Sequence, residues 1–171
     1  MNATALRSGG QVQALAGGMD DDRGVCCGEV RDAEVLCMPN WCENALTISG
    51  PPVAAKKLKR FVNTADSAFD FSVIVPPPRS VRRDWYYDNW GTSKVAFEVE
   101  WRTHADDLEA DSITVCFLTA WSPPVPLLIR LSQLFPTLCL RLSFGGWEMD
   151  ERGFVAAVAG TIIAQKYESA V

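Results

Sequence analysis

Histidine is almost missing from this chain. His104 is the whole supply among 171 residues, which excludes a histidine-based metal cluster and leaves a cysteine nucleophile only one imidazole as a base. Six cysteines are present, but none forms a Cys-x-x-Cys pair, so the usual zinc and dithiol spacings are missing as well. There is no phosphate-cradling glycine loop, and Gly145-Gly146 reads as a turn. Positive charge is in deficit too. Sixteen Lys and Arg stand against 21 Asp and Glu, giving a net charge of -5 and a pI near 4.9, so no polyanionic partner is advertised. No apolar run is long enough to span a bilayer, and acidic residues at Asp20, Asp21 and Asp22 lie where the core of a secretory signal would fall. A cytoplasmic location is expected.

What is present is an ordinary globular composition, 48% apolar and 22% charged, sized for one domain. It is unevenly distributed. Residues 1–37 hold six acids, three bases, many small residues and little periodic apolar pattern. They read as a disordered extension, a leader or an artefact, with Met38 resembling a natural amino terminus. Residues 38–171 read as the folded domain.

Within that domain, residues 44–49 alternate as a strand, and Gly50-Pro51-Pro52 then breaks the chain ahead of a helix over 53–63, whose Val53, Leu58, Phe61 and Val62 share a face. Lys56, Lys57, Lys59 and Arg60 read as its solvated side. Residues 94–101 alternate Val95, Phe97, Val99 and Trp101, and residues 113–120 supply the partner strand of a hairpin. Ser122 reads as an N-cap followed by Pro123, opening a helix over 124–135 with Leu127, Leu128, Leu131 and Leu134 as its buried stripe. Strands over 138–144 and 154–163 follow. The order β-α-β-β-α-β plus an extra C-terminal strand predicts an α+β, ferredoxin-like split-βαβ domain, an antiparallel sheet with helices on one face. The 64–93 connection is too long for a plain loop and predicts short elements of its own, with 73–78 extended and 82–87 helical.

This topology sends four tryptophan-bearing segments to one end of the sheet: Met38-Pro-Asn-Trp-Cys-Glu-Asn44, Asn89-Trp-Gly-Thr92, Thr119-Ala-Trp-Ser-Pro-Pro124 and Gly145-Gly-Trp-Glu148. Trp41, Trp90, Trp121 and Trp147, with Glu43, Asn89 and Glu148, then form a candidate recognition surface. The same indoles equally form a hydrophobic plug, the commoner fate of large aromatics at strand ends. The segment from Met38 to Gly50, the Asn89-Trp-Gly-Thr92 turn and the Thr119 to Pro124 joint together resemble the YubB-like, Api-like family of phages and plasmids. The resemblance covers about residues 38–164. It implies a ferredoxin-like domain of mobile-element origin and unknown function, and it supplies no catalytic residues.

The residues themselves argue against chemistry. Cys42 and His104 fall at opposite ends of the sheet, more than about 20 Å apart at roughly 3.3 Å per residue. Cys116 and Cys139 lie on the two strands flanking the first, too far apart to bridge, and read as small core residues. Of the carboxylates, Asp84, Asp88, Glu148, Asp150 and Glu151 notably offer paired acids for metal-assisted hydrolysis, and they read as loop acids. Sequence-specific RNA recognition lacks its usual aromatics on the central strands. The expectation is a non-enzymatic module with a protein partner, no cofactor and no metal. The alternative is single-stranded nucleic-acid binding through Arg79, Arg82 and Arg83 beside Trp85, Tyr86 and Tyr87.

Overall fold

The computed structural model describes residues 40–103, 112–146 and 149–169. The expected disorder of residues 1–37, His104 and the Trp147-Glu148 pair lie outside the described residues. Among the described residues six strands form one antiparallel sheet in the order β2-β3-β1-β4-β5-β6. They are β1 (Trp41–Ser49), β2 (Phe97–Thr103), β3 (Ser112–Ala120), β4 (Cys139–Gly145), β5 (Glu151–Val158) and β6 (Thr161–Ser169). The helices are α1 (Pro52–Val62), α2 (Phe71–Ile74), α3 (Arg83–Trp90) and α4 (Val125–Leu134). The first four strands with α1 and α4 make the ferredoxin-like split βαβ. No helix among the described residues is long and apolar enough to cross a membrane.

Alternation along the central strands separates two faces. Cys42, Asn44, Leu46 and Ile48 of β1, Val115 and Phe117 of β3, and Leu140, Leu142 and Phe144 of β4 are buried. They meet Ala55, Leu58 and Val62 of α1 and Leu127, Leu128 and Leu131 of α4 in one core. Each fully buried leucine there contributes about 2 kcal/mol. The opposite, helix-free face carries Glu43, Ala45 and Thr47 in register with Leu118, Cys116 and Thr114 on one side. On the other side it continues into Gly145, Ser143 and Arg141.

Several expectations are corrected. Val53 and Phe61 are exposed, because α1 buries the 55/58/62 stripe instead, and Leu134 of α4 is exposed while Ser132 is buried. Ser122 does not cap α4. Its hydroxyl is committed to the Gly91 carbonyl, and Pro124 occupies the cap position. Residues 73 and 74 of the expected extended segment belong instead to a helix over Phe71–Ile74, which Asp70 caps by accepting from the Ser72 backbone N–H at 2.8 Å. The extra C-terminal element is two strands, not one, since Ala159 (φ 50°) and Gly160 (φ 81°) both turn left-handed in a two-residue hairpin. Cys116 and Cys139 are half-buried on the helix-free face, opposite Ala45 and Ser49, rather than in the core.

The most consequential difference is in β2. Even spacing puts Val95, Phe97, Val99 and Trp101 on one face, but a bulge between Phe97 and Glu100, with Glu98 at φ 50°, inserts one residue. Parity reverses across it. Phe97 pairs with Leu118 on the helix-free side, whereas Trp101 pairs with Val115 on the core side, packing against Phe69 and donating its indole N–H to Ala68 O at 3.0 Å.

Burial raises the carboxyl pKa of Asp70, but hydrogen bonds from Ser72 and from Thr64 Oγ1 outweigh it and hold the group below its ordinary 3.8. A lowered folded-state pKa means stability that is present above the unfolded value and is lost as pH falls through the folded one. Asp70→Asn is therefore expected to lower the midpoint of thermal unfolding at neutral pH and to flatten its decline in acid. Parallel acid profiles for parent and variant, measured by circular dichroism, would count against this.

Candidate functional site: the tryptophan end of the sheet

Register places the start of β1, the end of β3 and the end of β4 together, with Trp41 opposite Ala120 and Glu43 opposite both Leu118 and Gly145. A chain of buried and half-buried polar side chains joins them. Asn44, on the core side of β1, donates its amide to Cys42 O at 2.9 Å and to Thr119 Oγ1 at 2.8 Å. Thr119 donates to Ser122 O at 2.9 Å, and Ser122 donates to Gly91 O at 2.5 Å. Thr92 closes the set by donating to Ala120 O at 2.8 Å. Asn44, Thr92 and Thr119 are buried. Losing a partner would strand a polar atom away from water at a cost of about 1–3 kcal/mol.

Gly91 is required where this chain meets α3. It caps the helix in the left-handed conformation at φ 81°, and a Cβ there would fall 2.6 Å from Pro126 Cδ. The cap turns the backbone so that Trp90, the last residue of α3 rather than the start of β2, enters the core. Its indole is 3% exposed, donates to Val75 O at 2.9 Å and meets Phe71, Trp85 and Tyr86 edge-on or tilted. Asn89 bonds back to Trp85 O at 2.9 Å.

The remaining described tryptophans of this end go elsewhere. Trp41 is half-buried on the helix-free side, stacked on Phe97 at 5.3 Å between ring centroids and 21° between planes. Trp121 follows β3 at φ 72°, donates its backbone N–H to Asn40 O at 2.9 Å and leaves its side chain 37% exposed. It borders a cleft of about 390 Å³ shared with Phe144, Met149, Asp150 and Glu151. Glu43 is exposed and lines a shallow depression of about 500 Å³ on the helix-free face, together with Glu98, Glu100 and Arg102. The candidate residues thus divide. Trp90 belongs to the interior and Asn89 is half-buried with its amide bonded to Trp85 O, whereas Trp121 and Glu43 are exposed and Trp41 is half-buried on the helix-free side.

The arginine cluster is arranged differently from the sequence expectation. Arg79, Arg82 and Arg83 are exposed, with Arg82 3.8 Å from Asp84, a solvated pair of small energetic consequence. The ring faces beside them are engaged internally, Trp85 edge-on to Tyr86 and Trp90, and Tyr86 tilted over Trp90. Tyr87 alone of the three is exposed. Among the described residues no group of three His, Cys, Asp or Glu is placed to hold a metal ion.

Two features of the site were missed. Phe97 was read on one face with Val95, Val99 and Trp101 because the bulge between Phe97 and Glu100 leaves no mark in the alternation. The Asn44 relay was invisible because Asn44 and Thr119 are 75 positions apart, Ser122 and Gly91 31, and Thr92 and Ala120 28, and they owe their proximity to the fold.

Residues 96–170 match the family model described as a ferredoxin-like domain in Api92-like protein. A crystal structure of a protein Api92 from Yersinia pseudotuberculosis is similar over 60% of this chain and 40% of that one, with 19% sequence identity and a TM-score of 0.47. The chain therefore spans about 40% of that protein's length. No curated protein matches it.

Cys42 sits inside the relay, its thiol donating to Asn44 Oδ1, and burial pushes that thiol up from 9.0 to about 11, against hydrogen bonds with Thr119, Gly145 and Asn44 that lower it. A neutral, buried thiol is a poor nucleophile. Iodoacetamide at neutral pH, mapped by peptide mass spectrometry, is expected to modify Cys116 and Cys139 while sparing Cys42 until the protein is denatured. Modification of Cys42 in the folded protein at a comparable rate would overturn this placement.

Proposed function

We propose that this chain is a non-enzymatic protein-binding module of mobile-element type that acts in the cytoplasm through the tryptophan end of its sheet. The observation that carries the reading is the accessible aromatic set there. Phe97, 53% exposed, is turned out by the β2 bulge and stacked on Trp41, and Trp121 is left exposed at the neighbouring rim in a left-handed conformation. Large aromatics held rigidly by backbone geometry give contact area at little entropic cost. A non-glycine residue at φ 72° costs about 1–2 kcal/mol, and it delivers an indole to the surface rather than to the core.

The phage and plasmid setting rests on the family resemblance, and countering a host defence is one use consistent with it by analogy. The helix-free face carries Glu43, Glu98 and Glu100, with Glu100 paired to Arg102 at 2.8 Å. That acidic surface favours a protein over a nucleic acid as partner. The buried, neutral Cys42 and the structural use of Asn44 and Thr119 favour contact over catalysis.

A tagged full-length chain is expected to retain a specific protein from host extract. Phe97→Ala and Trp121→Ala are each expected to cut retention about tenfold or more, the scale of a lost aromatic anchor, with unfolding midpoints close to the parent's. Failure to retain anything above background, or equal retention by both variants, would sink the reading. Salt-sensitive binding of single-stranded DNA that disappears in an Arg82→Ala, Arg83→Ala double variant would replace it with the nucleic-acid alternative.

A further inference from the structure

The sheet is covered unevenly. α1 and α4 pack on one face, and among the described residues no helix lies on the other. Strand register orders that open face in rows. Glu100, Cys116, Ala45, Ser143 and Phe154 succeed one another from β2 to β5, and Phe97, Leu118, Glu43 and Gly145 form the next row toward the tryptophan end. Cys116, Ala45 and Ser143 are small and half-buried, so they make a low floor, over which the depression of about 500 Å³ opens. Glu98 and Glu100 border it on one side. On the other stands Phe154, whose ring lies 3.5 Å beneath the Arg141 guanidinium. Glu43 and Glu98 are exposed and form no ion pair among the described residues, whereas Glu100 is bonded to Arg102.

Resting on the protein-contact reading above, we propose that this face seats one amphipathic helix of the partner protein, laid along the Ala45 floor with lysine or arginine side chains toward Glu43 and Glu98. The backbones of β3, β1 and β4 are already paired with a neighbour on each side, so an extended segment finds no ladder to join on this face. A helix arrives with its own backbone bonds satisfied. Width agrees. β2 and β5 stand four inter-strand steps apart, about 19 Å, which admits one helix of about 10–12 Å with side chains and not two. The apolar stripe of that helix meets Leu118 and Phe97, which the β2 bulge turns outward. Glu43 and Glu98 set the sign of the partner, since they attract basic side chains and repel a phosphate backbone or an acidic helix.

The probe is a synthetic amphipathic helix of Leu, Ala and Lys, titrated into the isotope-labelled full chain and followed by nuclear magnetic resonance, with the same peptide carrying Glu for Lys as its control. The Lys peptide is expected to shift the backbone amides of Ala45, Leu118 and Ser143, and the Glu peptide to leave them in place. A Glu43→Lys, Glu98→Lys double variant with parent-like circular dichroism is expected to bind the Lys peptide about tenfold more weakly or worse. No shift at these amides, equal shifts from both peptides, or equal affinity in the double variant would each overturn the proposal. Host-protein retention that falls in Phe97→Ala and Trp121→Ala but is untouched by the charge reversal would overturn it too, while leaving the protein-contact reading standing.

Discussion

The carboxamide of Asn44 is the constraint around which this protein closes. It occupies a core-side position of β1 that alternation would give to an apolar residue, in line with Leu46 and Ile48. A buried amide without partners is costly, so the surroundings must supply acceptors: Cys42 O lies two residues away, and Thr119 Oγ1 comes from the end of β3. Thr119, Ser122 and Gly91 continue the relay in one donor direction, from β1 through the end of β3 to the cap of α3. The relay fixes where α3 stops and where α4 begins, and therefore which aromatics face in and which face out.

This gives the repeated sequence motifs a physical meaning. The Asn in Trp41-Cys-Glu-Asn44, the Gly-Thr in Asn89-Trp-Gly-Thr92 and the Thr and Ser in Thr119-Ala-Trp-Ser122 are partners in one hydrogen-bonded assembly. The tryptophans beside them are positioned by it. Trp90 is carried into the core by the turn at Gly91, whereas Trp121 is turned out by its own left-handed backbone. Architecture and recognition are thus separate properties of neighbouring residues.

The split-βαβ order was legible because hydrophobic alternation in β1 and β3 and the leucine stripe of α4 report local burial, and topology rules do the rest. The convergence of strand ends followed from that order. What was not legible depends on single backbone events. One inserted residue in β2 moves Phe97 from the core face to the open face, two left-handed residues at 159 and 160 make one expected strand into a hairpin, and one hydroxyl given to Gly91 removes the expected cap at Ser122. None of these changes the apolar pattern, so pattern reading passes over them. Side-chain fate at the tryptophan end is decided by these events, and so a candidate surface predicted from four indoles resolves into a buried one, two accessible ones and Trp147, which lies outside the described residues.

A double-mutant cycle measures this central coupling directly. Asn44→Ala, Thr119→Val and the combined variant would be compared with the parent by urea unfolding. If the amide and the hydroxyl act as one buried unit, each single substitution destabilises by about 1–3 kcal/mol, and the double falls short of their sum by about 1 kcal/mol or more. Effects that add to within about 0.5 kcal/mol, the usual behaviour of independent sites, would contradict the account.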